Sequence, residues 1–231
     1  MLLLLLVHDY LRLQASIQSY LLHVIVFIGV IPILLAILHT ASKEHKETQR
    51  LIYLQTITDD LTGCYTMRYG YQQLNLLHER YEKTGDVYSL LFIDIDDFKD
   101  VNDLHGHWVG NHYLAKLCAC IRQASRASDQ IIRFGGDEFI LILPNTYKDQ
   151  AITMAERLKE AISHIECPPI KEEVTVSIGV IDVTCGDLHV DALIHRVDTL
   201  MYQAKQKGRG HIVSCPLCAS NKSQDLAAPG A

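Results

Sequence analysis

The chain has 231 residues, of which 48% are hydrophobic and 21% charged, and its formal net charge is −6 at pH 7. The hydrophobic fraction excludes an intrinsically disordered chain, and the acidic balance argues against binding a nucleic-acid polymer. Any phosphate-binding site must therefore be local. The seven cysteines are odd in number and lack a framework spacing, which indicates reduced thiols in a cytosol rather than a disulfide-rich secreted domain.

The most apolar part of the chain lies near its N-terminus, at residues 21–38. Eighteen helical residues rise about 27 Å, and this run contains no Asp, Glu, Lys or Arg, so we expect a transmembrane helix with a kink at Pro32. A buried core helix is the alternative. Basic residues are more frequent after the run than before it, which predicts that the later part of the chain is cytoplasmic.

The composition changes along the chain and predicts five segments. They are residues 1–20, a short apolar extracytoplasmic segment; 21–38, the transmembrane helix; 39–56, a helical connector; 57–214, a folded domain; and 215–231, a flexible tail. The apolar run that opens the first segment is too short to span a bilayer. It is either the remnant of a preceding helix in a truncated chain or an interfacial segment.

Within the folded domain, strand-like apolar runs alternate with amphipathic patterns. The strands are expected at 89–95, 130–134, 139–143 and 174–181, and the helices around 68–82, 109–125, 148–164 and 190–206. This alternation predicts an α/β or α+β domain built on a central sheet.

Acidic residues come directly after the first predicted strand. Asp94 and Asp96 lie two positions apart, so in continuing strand geometry their side chains share a face. Acids at the end of a buried strand need a compensating cation, and a divalent ion bound through oxygens is the economical candidate. A solvated turn in which Asp96 or Asp97 caps the next helix is the alternative.

A second acidic pair, Asp137 and Glu138, follows two glycines. Because strand-like runs flank Gly135 and Gly136, we expect a tight two-residue hairpin with positive φ angles. The glycines also remove side chains from a place where a ligand could approach the backbone. Two acidic clusters at neighbouring strand ends predict a metal-assisted phosphoryl-transfer site.

The motif Gly-Gly-Asp-Glu-Phe at 135–139 resembles the signature of the GGDEF family of diguanylate cyclases. Four other segments resemble further motifs of that family, in the same order: DDLTG at 59–63, FIDIDDFKDVNDLHGHWVG at 92–110, VTVSIGV at 174–180 and YQAKQKGR at 202–209. The resemblance covers about residues 57–214.

The resemblance implies a nucleotide-cyclase-like palm, in which helices flank a mainly antiparallel five-stranded sheet. It implies nucleotidyl transfer in which two GTP condense to cyclic di-GMP and release two pyrophosphates, with Mg²⁺ as the cofactor and Mn²⁺ as the alternative ion. One half-site holds one GTP, so a two-fold homodimer is implied. The implied location is the bacterial cytoplasmic (inner) membrane, with the GGDEF domain on the cytoplasmic side.

Individual roles follow from the resemblance as well. Asp94, the carbonyl of Ile95, Asp137 and Glu138 would hold the metal, and Asp137 or Glu138 would help to remove the ribose 3′-hydroxyl proton. The substrate-binding positions are Lys99, Asn102, His107, Asn111, Gly135, Gly136, Lys205 and Arg209. The product, cyclic di-GMP, would inhibit at an R-x-x-D site made of Arg126, Asp129 and Arg157.

Asn111 departs from the family pattern, which has Asp at this position to accept two hydrogen bonds from guanine. An amide offers only one acceptor, so one contact should be lost. Three outcomes are open: weaker GTP use, relaxed selectivity with some mixed cyclic dinucleotide, or no effect because Asn102 suffices. A catalytically silent module that binds GTP or cyclic di-GMP to regulate a partner is the alternative function, although the acids at Asp94, Asp137 and Glu138 are retained.

Two other features have simpler interpretations. Trp108 is expected to pack against the domain rather than to stack on a base. Cys215 and Cys218 form a single C-x-x-C, and without a second ligand pair we expect two thiols in a loose tail rather than a zinc site.

Overall fold

The structure, a computed structural model, describes residues 2–186 and 189–216, which fall into two units, Met1–Leu54 and Gln55–Ala231. The chain begins with helix α1 (Leu2–Ile25), a π-helical turn (Val26–Val30) and helix α2 (Ile31–Ile57).

The N-terminal helices hold the apolar run expected to cross a membrane. Among the described residues, one stretch, Leu5–Arg50, is long and apolar enough to span a bilayer, and its most apolar part is not buried. Pro32 is the second residue of α2 and directly follows the π-helical turn, so the helical backbone continues through it. The π-helical turn lies where the sequence predicts a kink, and its longer hydrogen-bonding step is the irregularity that accompanies the proline. The segment 1–20 is helical from Leu2 onward.

The second unit is built on a six-stranded sheet. Its strands are β1 (Tyr65–Thr66), β2 (Tyr88–Ile95), β3 (Gln130–Arg133), β4 (Glu138–Pro144), β5 (Val176–Asp182) and β6 (Ile212–Ser214), in the spatial order β1-β3-β4-β2-β5-β6. The three inner pairings are antiparallel, and the two edge strands pair in parallel. The sheet has six strands rather than the expected five because the edge strands hold only two and three residues, too few to show a period-2 pattern.

Five helices flank this sheet. They are α3 (Met67–Thr84), α4 (Phe98–His105), α5 (His107–Ala124), α6 (Lys148–Ser163) and α7 (Val190–Gln206). The four expected helices are all present within a few residues of their predicted bounds. Helix α4 was not expected as a separate element, because its eight residues carry few apolar side chains.

The sheet separates two hydrophobic cores, and β2 contributes to both because its side chains alternate between the faces. Leu91 and Ile93 pack in the core that also holds side chains of α5 and α6. Leu90 and Phe92 pack in the core that holds side chains of α3 and α7. By the same alternation Asp94 faces α7.

Helix α7 lies unusually close to the sheet at Gly179 in β5. A Cβ atom at this position would lie 2.6 Å from the backbone nitrogen of Met201, far inside van der Waals contact. Only glycine therefore allows α7 to pack at this depth, and that packing sets the position of Lys205 near the end of the helix.

The cysteines differ from expectation at the end of the folded unit. Cys215 is buried, and its sulfur lies against that of Cys185, so it is not part of a loose tail. Cys218 and the rest of the predicted tail from residue 217 lie outside the described residues. Cys64, Cys118, Cys120 and Cys167 are free thiols.

Candidate active site

The two acidic clusters meet where β2 ends and β4 begins. The antiparallel register places Asp94 directly opposite Glu138. The amide of Ile95 donates to the carbonyl of Asp137 over 3.4 Å, which brings the third acid to the same corner. Like charges directly opposite each other on two strands destabilise a sheet, so this arrangement calls for a cation.

Lys205 supplies a positive charge at this corner. Its ammonium nitrogen lies 2.6 Å from Oδ1 of Asp94, whose side chain is only 6% exposed. Burial raises the pKa of Asp94 to about 6; Lys205 opposes this shift, and the neighbouring Asp137 and Glu138 add to it. Burial, followed by the charge of Asp137, also raises the pKa of Glu138.

The residues at this corner fit a divalent ion. Oδ1 of Asp94 is buried and makes no well-directed hydrogen bond within the part of the chain that the structure describes, although a cationic nitrogen lies against it. In residues 2–186 and 189–216, no group of three or more His, Cys, Asp or Glu side chains is arranged as a metal site. The carboxylates of Asp94, Asp137 and Glu138 are therefore not gathered around one point. One or two of them, together with substrate phosphates, form the ligand set that Mg²⁺ usually takes.

The glycine turn between β3 and β4 is wider than the sequence predicts. The amides of Phe134 and Gly135 both donate to the carbonyl of Glu138, at 2.8 and 3.2 Å. Neither Gly135 nor Gly136 has a positive φ, so the expected two-residue hairpin is wrong. A Cβ at Gly135 would lie 2.5 Å from Oε2 of Glu138, so a side chain there would displace that carboxylate, while the space beside Gly136 is open.

Arg133 fixes this turn, a role that the sequence analysis missed. Its Nη1 donates to both carboxylate oxygens of Asp59, at 3.0 and 3.1 Å, and its Nη2 donates to the carbonyl of Gly136 at 2.7 Å. Asp59 also accepts from the amide and hydroxyl of Thr62. Burial raises the pKa of Asp59. The hydrogen bonds from Thr62 and the bonds and charge of Arg133 outweigh this effect, so the pKa is lowered overall. The D-x-L-T-G segment is thereby attached to the glycine turn.

Asp96 has a structural role at the site. It is 5% exposed and accepts hydrogen bonds from the hydroxyls of Thr175 and Ser177, both at 2.7 Å, and from the amide of Gly210 at 2.8 Å. These bonds hold the segment after α7 against the end of β2. Arg209, in that segment, forms a 2.6 Å ion pair with Asp97. The structure therefore brings Lys205 and Arg209 to the acidic corner.

The expected base-binding residues lie on α4 and α5. The side chain of Asn102 lies over Gly110, where a Cβ atom would collide with its amide oxygen. His107 and Asn111 are exposed in the first two turns of α5, and Lys99 is exposed in the first turn of α4. These positions surround the junction of the two helices.

Trp108 does not pack against the domain, so that expectation is wrong. Its side chain is 77% exposed, and its ring lies nearly parallel to that of His112, with an interplanar angle of 8° and ring centroids 5.9 Å apart.

The three residues expected to bind the product line one cavity of about 240 Å³. Arg126, Asp129 and Arg157 all line it, together with Thr146 and Met154. The backbone amide of Arg126 donates to Asp129 at 2.7 Å, and Arg157 donates to the carbonyl of Ala124 at 2.6 Å. The three residues lie on separate parts of the sequence, and the fold brings them together.

Comparison with known proteins establishes the family. The family model described as "Diguanylate cyclase, GGDEF domain" matches residues 56–211. The chain belongs to the GGDEF family of diguanylate cyclases. It is 38% identical over 165 residues to response regulator PleD of Caulobacter vibrioides, and this match covers 68% of this chain and 36% of PleD. It is 32% identical over 182 residues to diguanylate cyclase DgcM of Escherichia coli, covering 79% and 44% of the two chains. The GGDEF chain thus spans less than half the length of these curated relatives.

Solved structures agree with this assignment. Diguanylate cyclase SiaD of Pseudomonas aeruginosa, in complex with its activator SiaC, matches with a TM-score of 0.66 and 26% identity over 90% of this chain and 81% of that one. A second match is the coiled coil and GGDEF domain of DgcB from Caulobacter crescentus in complex with c-di-GMP. Its TM-score is 0.72, and the match covers 78% of this chain and 96% of the DgcB chain. At 23% identity, the second match shows the fold alone.

Proposed function

We propose that this chain is a membrane-anchored diguanylate cyclase of the bacterial cytoplasmic membrane, with the GGDEF domain in the cytoplasm. It condenses two GTP into cyclic di-GMP and releases two pyrophosphates. The observation that carries the proposal is the register of β2 and β4, which sets Asp94 opposite Glu138 beside the side-chain-free turn at Gly136.

The residues of the corner have complementary tasks in this reaction. Asp94, the carbonyl of Ile95, Asp137 and Glu138 would hold Mg²⁺, or Mn²⁺ in its place. When bound, the ion would offset triphosphate charge and polarise the α-phosphate. Lys205 now neutralises Asp94, and it becomes available to the phosphates when another cation takes over that role.

Each bond is made by attack of a ribose 3′-oxygen on the α-phosphorus of the other GTP, with cleavage of the bond to pyrophosphate. Asp137 or Glu138 would accept the 3′-hydroxyl proton, and burial, which raises the pKa of Glu138, makes its carboxylate the stronger base. Lys205 and Arg209 stabilise the negative charge that develops on the departing pyrophosphate. One half-site supplies only one nucleotide, so the active species is a two-fold homodimer.

The whole 231-residue chain in lipid nanodiscs, supplied with Mg²⁺ and GTP, is expected to form cyclic di-GMP, and EDTA should abolish the product. Reaction products from GTP alone and from GTP with ATP are to be separated by chromatography. A mixed cyclic dinucleotide would show that Asn111 relaxes base selectivity. Nucleotide binding without any product would instead favour the silent regulatory module and contradict the proposal.

We further propose that cyclic di-GMP inhibits the enzyme by binding in the 240 Å³ cavity. Arg126→Ala should raise the product concentration for half-inhibition by about five- to 150-fold, since a good bidentate contact to guanine has that value. Initial rates at increasing added cyclic di-GMP measure the effect. Lys159→Ala, an exposed cation on the same helix as Arg157 but outside the cavity, is the control. Equal inhibition of wild type and Arg126→Ala would remove the cavity from the proposal.

A further inference from the structure

Trp108 is the single tryptophan of the chain, and its exposure has no structural explanation. Tryptophan is a large residue that is highly buried on average, yet 77% of this side chain is accessible. It lies in the first turn of α5, directly after His107 and three residues before Asn111. An exposed aromatic ring at this place is adjacent to the residues expected to bind the base.

The ring is also held in a defined orientation. Residues four apart on a helix are neighbours, and here the indole of Trp108 lies at 8° to the imidazole of His112. A ring supported in this way loses little conformational freedom when a flat ligand covers its other face. Trp108 and His112 together therefore form a two-ring stack whose outer surface is accessible.

Asn111, an expected base-binding residue, lies next to Trp108 on α5. The Trp108 and Asn111 side chains are three residues apart, and the Cβ atoms of such residues are about 5–6 Å apart on one helix face. An amide at position 111 provides one acceptor where a carboxylate would provide two, so one hydrogen bond to a guanine edge should be lost. Stacking on an aromatic face is a different source of affinity that does not depend on the pattern of donors and acceptors.

We propose that Trp108, supported by His112, is a stacking surface for the purine base of the nucleotide substrate. This inference rests on the proposed function, because it concerns the nucleotide that the cyclase site would bind. Every purine presents a π-face, so the stack contributes affinity to guanine and adenine alike. The chain therefore binds its substrate more through the face of the base and less through its edge.

The single tryptophan permits a direct test with the whole 231-residue chain in nanodiscs. We expect α,β-methylene-GTP, which cannot release pyrophosphate, to change the intrinsic tryptophan emission in a saturable way in the presence of Mg²⁺. α,β-Methylene-ATP should produce the same change with a Kd within about tenfold of that for the guanine analogue, because stacking tolerates either base. Ribose 5-triphosphate, which has no base, should leave the emission unchanged.

Substitutions separate stacking from general damage to the domain. Trp108→Ala should raise the Kd of α,β-methylene-GTP, measured by equilibrium dialysis with radiolabelled analogue, by about five- to 150-fold, and Trp108→Phe should restore most of the affinity. His112→Ala should give a smaller loss, because it removes only the support of the ring. Leu76→Ala truncates another exposed apolar side chain, on α3, and should leave the Kd unchanged.

Several results would overturn the inference. The first is unchanged tryptophan emission under conditions in which dialysis shows that the analogue is bound. The second is an unchanged Kd in Trp108→Ala. The third is an emission shift that appears when the protein concentration is raised in the absence of nucleotide. The last result would make Trp108 a contact between protomers. Cyclic di-GMP synthesis with a silent Trp108 would leave the proposed function intact, whereas base-dependent quenching without synthesis would support the stack and contradict the cyclase.

Discussion

Glu138→Gln is expected to lower the rate of cyclic di-GMP synthesis by about 10²- to 10⁴-fold at saturating GTP and Mg²⁺. The amide has almost the same shape, but it neither accepts the 3′-hydroxyl proton nor carries the charge that attracts a divalent ion. The loss should not come from unfolding. Glu138 lies opposite Asp94 in the β2–β4 register, so removing one of two facing negative charges should leave the melting temperature equal or higher.

The measurement combines initial rates with a thermal melt of the same preparation. Glu156→Gln, on the exposed face of α6, is the matched control and should retain the wild-type rate. If Glu138→Gln keeps more than about a tenth of that rate, Glu138 is neither the base nor an essential metal ligand, since general-base removal costs at least about 100-fold.

Arg133→Met should destabilise the folded unit by about 2–3 kcal/mol, because it leaves the half-buried Asp59 carboxylate without its cation and the Gly136 carbonyl without its donor. Cyclic di-GMP synthesis should also fall, since the glycine turn that precedes Asp137 and Glu138 loses its attachment to the D-x-L-T-G segment. Asp59→Asn should show a part of both effects.

A double-mutant cycle with these two substitutions tests the coupling. The double variant should lose less stability in thermal or urea unfolding than the sum of the single losses; strict additivity would show that the ion pair does not hold the turn. The pH dependence follows from the lowered pKa of Asp59. Its contribution to stability is fully present above the unfolded pKa of about 3.9 and is lost as the pH falls through the lower folded value.

The site could be predicted from the sequence where function depends on residue type at a fixed local spacing. Asp94 ends a fully buried strand, and Asp137 and Glu138 follow two glycines, so the chemistry of the corner was visible without coordinates. The long apolar runs likewise predicted four strands and four helices, because their periodicities are distinct.

Other features depend on contacts between distant parts of the chain and left no local signal. Arg133 and Asp59 are 74 positions apart, and nothing near either residue indicates their pairing. Cys185 and Cys215, whose side chains meet in the fold, are 30 positions apart. The positive φ expected at Gly135 is absent, and the feature found there instead is the nearby Glu138 carboxylate, which local sequence does not reveal.

The three hydrogen bonds accepted by Asp96 have a consequence for how substrate is captured. Because they anchor Gly210 to β5 and the end of β2 before any ligand arrives, the loop carrying Arg209 is already ordered. Ordering the backbone of one residue costs about 1–2 kcal/mol, and that entropy is lost during folding rather than at each turnover. In the proposed function, Asp96 would therefore hold Arg209 in place for the triphosphate through bonds to the backbone and to β5.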